Sequence, residues 1–269
     1  GNPIANSLKY AIAQKNADTN ASSLTVDVKS TGQIRLTNQT GLVGVITDRG
    51  KIINNGIVES SGESGIGILG SNGSIVTNNN SLIIGNGGAG IIGINTLDNP
   101  VTTSTTFGNI DLTNNGTITY APTSGTALPS YGIVAKNDNY ALHSTTSNVT
   151  LGSGSLIDLS SNQESVGVYA SNSNIIDKGG DIKVGVKGIG MQLVNLLSMT
   201  TTGGTITGSV TATEAIGLYI ESGATTLQTS KNVTLLGDKS VGVYVNDTLG
   251  SMSYTNTGII TIGNALLQS

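Results

Sequence analysis

Short runs of aliphatic residues recur along the chain, separated by Gly, Asn, Ser and Thr, and the recurrence has a long period. One run centres on a glycine: Val43-Gly44-Val45, Ile66-Gly67-Ile68, Ile92-Gly93-Ile94 and Tyr131-Gly132-Ile133, then Val166-Gly167-Val168, Ile189-Gly190-Met191, Ile216-Gly217-Leu218 and Val241-Gly242-Val243. The glycines are 23, 26, 39, 35, 23, 27 and 25 residues apart. A second run follows a turn rich in Asn or Gly, as in Asn55-Gly56-Ile57-Val58, Asn115-Gly116-Thr117-Ile118 and Gly203-Gly204-Thr205-Ile206. Gly and Asn tolerate positive φ, so these pairs mark turns. A fixed period of this size is the signature of a repeat architecture. Strands of four or five residues within a unit of 23–27 residues predict one coil of a right-handed parallel β-helix, an all-β solenoid of about nine to ten coils.

Alternation along a strand assigns faces. In Ser165-Val166-Gly167-Val168-Tyr169 it places both valines in the core and Gly167 and Tyr169 outside. Tyr169, Tyr219 and Tyr244 then occupy equivalent outward positions, with Gln192 in the coil between the first two. This ladder is a candidate ligand-binding face, or a cover for the backbone beside each glycine. The Asn pairs at turns (Asn54-Asn55, Asn79-Asn80, Asn114-Asn115) are expected to stack into hydrogen-bonded ladders along the rod.

Residues 1–20 break the pattern and form a separate cap or linker before the solenoid of residues 21–269. Asn6 to Lys15 predicts a short helix with a polar N-cap, suited to covering the first coil. The last segment reads as a coil cut partway, and the native protein is expected to continue beyond residue 269. The two long spacings place insertions around residues 95–147. They carry three of the four prolines, the single phenylalanine and the single histidine. Insertions in solenoids emerge as loops on one face, so Phe107, Tyr120, Tyr140 and His143 are candidate ligand-binding residues.

Composition narrows the function. The 269 residues include 38 Gly, no Cys, no Trp and 10 % charged residues, with a net charge of −4. A scattered set of 12 basic residues lacks the footprint of a nucleic-acid binder, and no stretch reaches the length of a transmembrane helix. Catalytic motifs are missing. Ser61-Gly62-Glu63-Ser64-Gly65 is superficially protease-like, yet its one possible histidine partner, His143, falls some three coils away, about 14 Å at strand spacing. Glu59, Glu63, Glu164, Glu214 and Glu221 are scattered rather than paired, and Gly87-Gly88-Ala89-Gly90 lacks the Asp of a calcium-binding repeat. No catalytic residue, metal site or cofactor is expected.

Runs such as Ser64-Gly65-Ile66-Gly67-Ile68, Ser165-Val166-Gly167-Val168-Tyr169 and Ser240-Val241-Gly242-Val243-Tyr244 resemble the passenger domains of large autotransporter adhesins, the type V secreted proteins of Gram-negative bacteria, in particular the fusobacterial kind. The resemblance covers about residues 24–262. It implies a monomeric β-helix displayed on the cell surface, attached to the outer membrane only through a C-terminal β-barrel outside this sequence. It also implies adhesion to host cells or other bacteria through protein or glycan receptors. The readings from other classes are a plain structural stalk and a polysaccharide-degrading β-helix enzyme.

Overall fold

The computed structural model describes residues 9–16, 24–37, 39–95, 108–122, 127–138, 145–223, 226–247 and 252–263. Among them every regular element is a strand. The strands assemble into three long parallel sheets and one two-stranded sheet, in which each strand pairs with its counterpart one repeat away. The first sheet has nine strands, Lys9–Lys15, Leu42–Asp48, Ile66–Ser71, Ala89–Asn95, Tyr131–Asn137, Val166–Ser171, Ile189–Leu196, Ile216–Gly223 and Val241–Asn246. They define coils 1 to 9. The second sheet has seven strands, from Thr25–Val28 to Ser198–Thr201, and a two-stranded sheet of Thr226–Thr229 and Ser253–Asn256 follows in coils 8 and 9. The third sheet has nine, from Gln33–Leu36 to Ile260–Ile262. This is the parallel β-helix that the repeat predicts.

Its core is a column of stacked aliphatic side chains. Val45, Ile68, Ile91, Ile133, Val168, Met191 and Leu218 from the first sheet are fully buried, against Val58, Leu82, Ile118, Ile157, Ile182, Ile206 and Val233 from the third. Each such side chain contributes about 1.5–3 kcal/mol on burial. A single coil has nothing to bury them against, so the stack is the unit of stability.

In the strand Ala89–Asn95 the motif glycine is Gly90 rather than the expected Gly93, because Ile91 pairs with Ile68 and Gly93 with Gly70. The recurring glycine also faces the opposite way from the expectation. A Cβ on Gly167 would lie 2.5 Å from Ile182 Cγ2 and 2.5 Å from the carbonyl oxygen of Gly190 in the next coil. The same pair of obstacles, a β-branched core side chain and the next glycine's carbonyl, stands at Gly44, Gly90, Gly132, Gly190 and Gly217. The glycine therefore points into the core, where the third sheet already fills the space, and the residue after it points inward too. Simple alternation fails at this kink. The residue before the glycine consequently turns outward: Ile66, Ala89 and Tyr131 lie on the same surface as Ile92, Val134 and Tyr169.

The predicted N-terminal helix is not formed. Lys9–Lys15 is a strand that pairs in parallel with Leu42–Asp48, with Ile12 opposite Val45. Pairing satisfies the open edge of that strand and seats Ile12 against the core, which outweighs the local helix propensity of Ala, Gln and Lys. Asn6, Ser7 and Leu8 lie outside the described residues.

The asparagine ladders form as two parallel columns, but the middle coil supplies Asn78 and Asn79 rather than the expected Asn79 and Asn80, and the Asn80 side chain donates instead to the Asn55 carbonyl. In the buried one Asn54 donates to Asn78 at 2.8 Å and Asn78 donates to Asn114 at 2.7 Å. In the outer one Asn79 donates to Asn55 and Asn115 to Asn79, both at 2.9 Å. The inner column stops at Leu151, the register partner of Asn114, and the buried Asn114 Nδ2 is left without a hydrogen-bond partner.

Candidate functional site

Three outward columns run along the first sheet. The one at the far end of the strands is largely polar, with Ser71, Lys136, Ser171, Glu221 and Asn246 beside Ile94 and Val194, and the other two are largely apolar. One holds the residues before the motif glycines: Val43, Ile66, Ala89, Tyr131, Val166, Ile189, Ile216 and Val241. The other lies three residues further along each strand: Ile46, Leu69, Ile92, Val134, Tyr169, Gln192, Tyr219 and Tyr244. Within these two columns Gln192 alone is polar. By contrast, the outward positions of the second sheet include Asp111, Thr113, Asn148 and Thr150, and those of the third include Asp181, Lys183, Thr205 and Thr207. The other two faces mix such polar residues with isolated aliphatics such as Ile53, Ile176, Ile57 and Ile83, whereas the two apolar columns of the first sheet run side by side. Large exposed apolar patches on soluble proteins mark interaction surfaces.

The face carries a groove of about 360 Å³ at coils 3 to 6, lined by Ser64, Ile66, Gly87, Ala89, Ile92, Tyr131, Val134 and Tyr169. Its depth comes from sequence: Gly87 and Ala89 are small, while Ile66 and Tyr131 on either side are large. Leu128, itself partly exposed, stands against Gly87. The long spacings fall on the same coils. Residues 96–109 and 138–146 connect first-sheet strands Ala89–Asn95 and Tyr131–Asn137 to the second sheet, and residues 121–130 lead from the third sheet into Tyr131–Asn137.

Of the residues expected to bind, Tyr169 lines this groove. Tyr219 and Tyr244 continue its column two and three coils on, through Gln192. Their rings stack on each other with centroids 5.3 Å apart and planes 14° apart, so each turns a face to its neighbour. Tyr120 is elsewhere. It ends a third-sheet strand, packs against the core, and its hydroxyl donates to Asn86 Oδ1. Burial pushes that hydroxyl's pKa up, and Tyr120 reads as a structural anchor. Phe107, Tyr140 and His143 lie outside the described residues. The residues missed by sequence reasoning are Ile66, Ile92 and Tyr131, which alternation about the motif glycines assigns to the core and the structure turns outward into the groove.

Among the described residues no group of three or more His, Cys, Asp or Glu could hold a metal ion. No family model, curated protein or solved structure matches this chain.

Proposed function

We propose that this chain is the adhesive rod of a surface-displayed protein, and that it holds its partner on the outward face of the first sheet. The observation that carries the reading is the apolar groove over coils 3 to 6, placed on the strands whose connections bear the insertions. A rod that only held something at a distance would need no such face. A protein receptor suits the face better than a glycan. The groove lining is mostly aliphatic, with Ser64, Tyr131 and Tyr169 its hydroxyl-bearing side chains, so it offers few of the polar groups that hold sugar hydroxyls. The repeat style shared with autotransporter passengers supports display outside the cell, with attachment to host cells or other bacteria as the outcome.

The test is binding of the purified chain to immobilised matrix proteins, glycans and intact cells. Saturable binding to a protein surface is the expected result. Absence of binding to every surface would remove the adhesin reading and leave the stalk.

A further inference from the structure

The outward face at coils 6 to 9 has a pattern that the groove does not explain. At the corner before the first sheet, two residues ahead of the glycine-preceding column, stand Glu164, Lys187, Glu214 and Lys239. All four are exposed and all have positive φ, between 52° and 58°. Successive backbone hydrogen bonds, Glu164 N to Val186 O, Lys187 N to Thr213 O and Glu214 N to Asp238 O, hold them in one row. Their charges alternate, and Lys187 and Glu164 lie 3.7 Å apart. Beside them the first apolar column reads Val166, Ile189, Ile216, Val241, and the second reads Tyr169, Gln192, Tyr219, Tyr244.

These rows are self-complementary when reversed. We infer that coils 6 to 9 pair face to face with the same coils of a second copy, with the rods antiparallel, about a two-fold axis between coils 7 and 8. That operation sets each column against itself in reverse order, as an isologous interface requires. Glu164 then faces Lys239 and Lys187 faces Glu214, each twice. Val166 faces Val241, Ile189 faces Ile216, and Tyr169 faces Tyr244. Gln192 faces Tyr219, an amide against a ring with a hydroxyl. At the far edge of the strands Ser171 meets Asn246 and Val194 meets Glu221, whose carboxylate stays at the rim; no like charges meet.

The charge row also selects the register. Centring the axis on coil 7 would set Glu164 against Glu214, and centring it on coil 8 would set Lys187 against Lys239. Both juxtapose like charges, which cross-interface recognition penalises. Apolar columns flanked by a charge row combine burial with orientation. Tyr169, Ile189, Ile216 and Tyr219 are half-buried and Val166 is buried, while Val241 and Tyr244, on the last strand of the sheet, are 38 % and 47 % exposed, so the surface to cover is shared among the four coils and largest at the last.

Four coils at about 4.8 Å and six residues at about 3.3 Å give a contact of roughly 400 Å² per partner. That is about half of a standard interface, so the pairing is reversible at ordinary concentrations. The proposal does not depend on the receptor-binding reading, and it departs from the monomer expected from sequence.

Sedimentation velocity on the full chain up to roughly 1 mM decides it, a range suited to an interface of about half the standard area. Two variants carry the argument: Glu164→Lys with Glu214→Lys makes the row wholly basic, and Lys187→Glu with Lys239→Glu makes it wholly acidic. Circular dichroism and melting confirm that each is folded. The native chain is expected to form a reversible dimer. Each variant alone should weaken it by at least about tenfold, and an equimolar mixture of the two should restore it. A native chain that stays monomeric throughout overturns the proposal. So does a dimer indifferent to either variant, or a mixture that fails to recover. A monomer that instead binds a glycan or a lipid vesicle through this face assigns the face to that ligand and also overturns it.

Discussion

Lys231 Nζ lies 2.5 Å from Asp177 Oδ2, with both side chains completely buried. The pair spans 54 residues, joining the coil 8 corner to coil 6 and bypassing coil 7. Lys231 also donates to the Gly180 carbonyl at 2.6 Å, and Asp177 Oδ1 accepts from the N–H groups of Gly179 and Gly180. The passage exists because coil 7 offers Gly204 at that corner, where a Cβ would stand 2.9 Å from the Lys231 nitrogen.

Removing one member of a buried pair strands the other, at a cost of about 3–5 kcal/mol. Lys231→Met should therefore lower stability by about that much in urea unfolding. Adding Asp177→Asn, which keeps an acceptor for the two glycine N–H groups, should recover more than half of the loss. Equal stabilities of the single and double variants would show that charge burial is not what the single variant suffers.

The inward glycines should be intolerant of a methyl group. Gly167→Ala places its Cβ in contact at 2.5 Å with both backbone and side chain, and overpacking of this kind costs about 1–3 kcal/mol. Gly108→Ala is the control, since its nearest neighbour would be 3.7 Å away, and its melting temperature should match the native one.

The period and the parallel stack were legible because every coil repeats the same apolar positions. The orientation of the glycine was not, because alternation presumes a regular strand. Here Ile182 on the third sheet, 15 residues further along the same coil, decides which way Gly167 faces. That error hid part of the binding face: Tyr169 could be placed outside from sequence, but Ile66, Ile92 and Tyr131 could not. The strand at Lys9–Lys15 was missed for a related reason, since its conformation is set by the edge of Leu42–Asp48 rather than by its own propensity.

The buried asparagine ladder should weigh its members unequally. Asn78 sits between two partners, donating to Asn114 and accepting from Asn54, so Asn78→Leu disturbs both neighbours. Asn114 ends the column with its Nδ2 unpaired. Calorimetric melting should show a loss of about 2–4 kcal/mol for Asn78→Leu and about 1 kcal/mol for Asn114→Leu, given the 1–3 kcal/mol cost of each orphaned buried group.

Tyr254 gives the rod an alkaline limit. Its hydroxyl is buried without a hydrogen-bond partner, and burial pushes its pKa from 10.0 up to about 12. Below pH 10 the group is neutral folded and unfolded. As pH rises from 10 to 12 only the unfolded chain ionises, so stability is lost through that window. Tyr254→Phe should flatten the fall in melting temperature between those values, and an unchanged slope would assign it to other groups.

The central claim is that the outward face of the first sheet, at the groove, holds the partner. Surface plasmon resonance against whichever surface the native chain binds, comparing Ile92→Asp with Thr113→Asp, tests it most directly. Both residues are half-buried outward strand positions one sheet apart, so both variants should fold. A charge in the groove should weaken binding by at least about tenfold, with Thr113→Asp indistinguishable from native; equal affinities for the two variants would contradict the account.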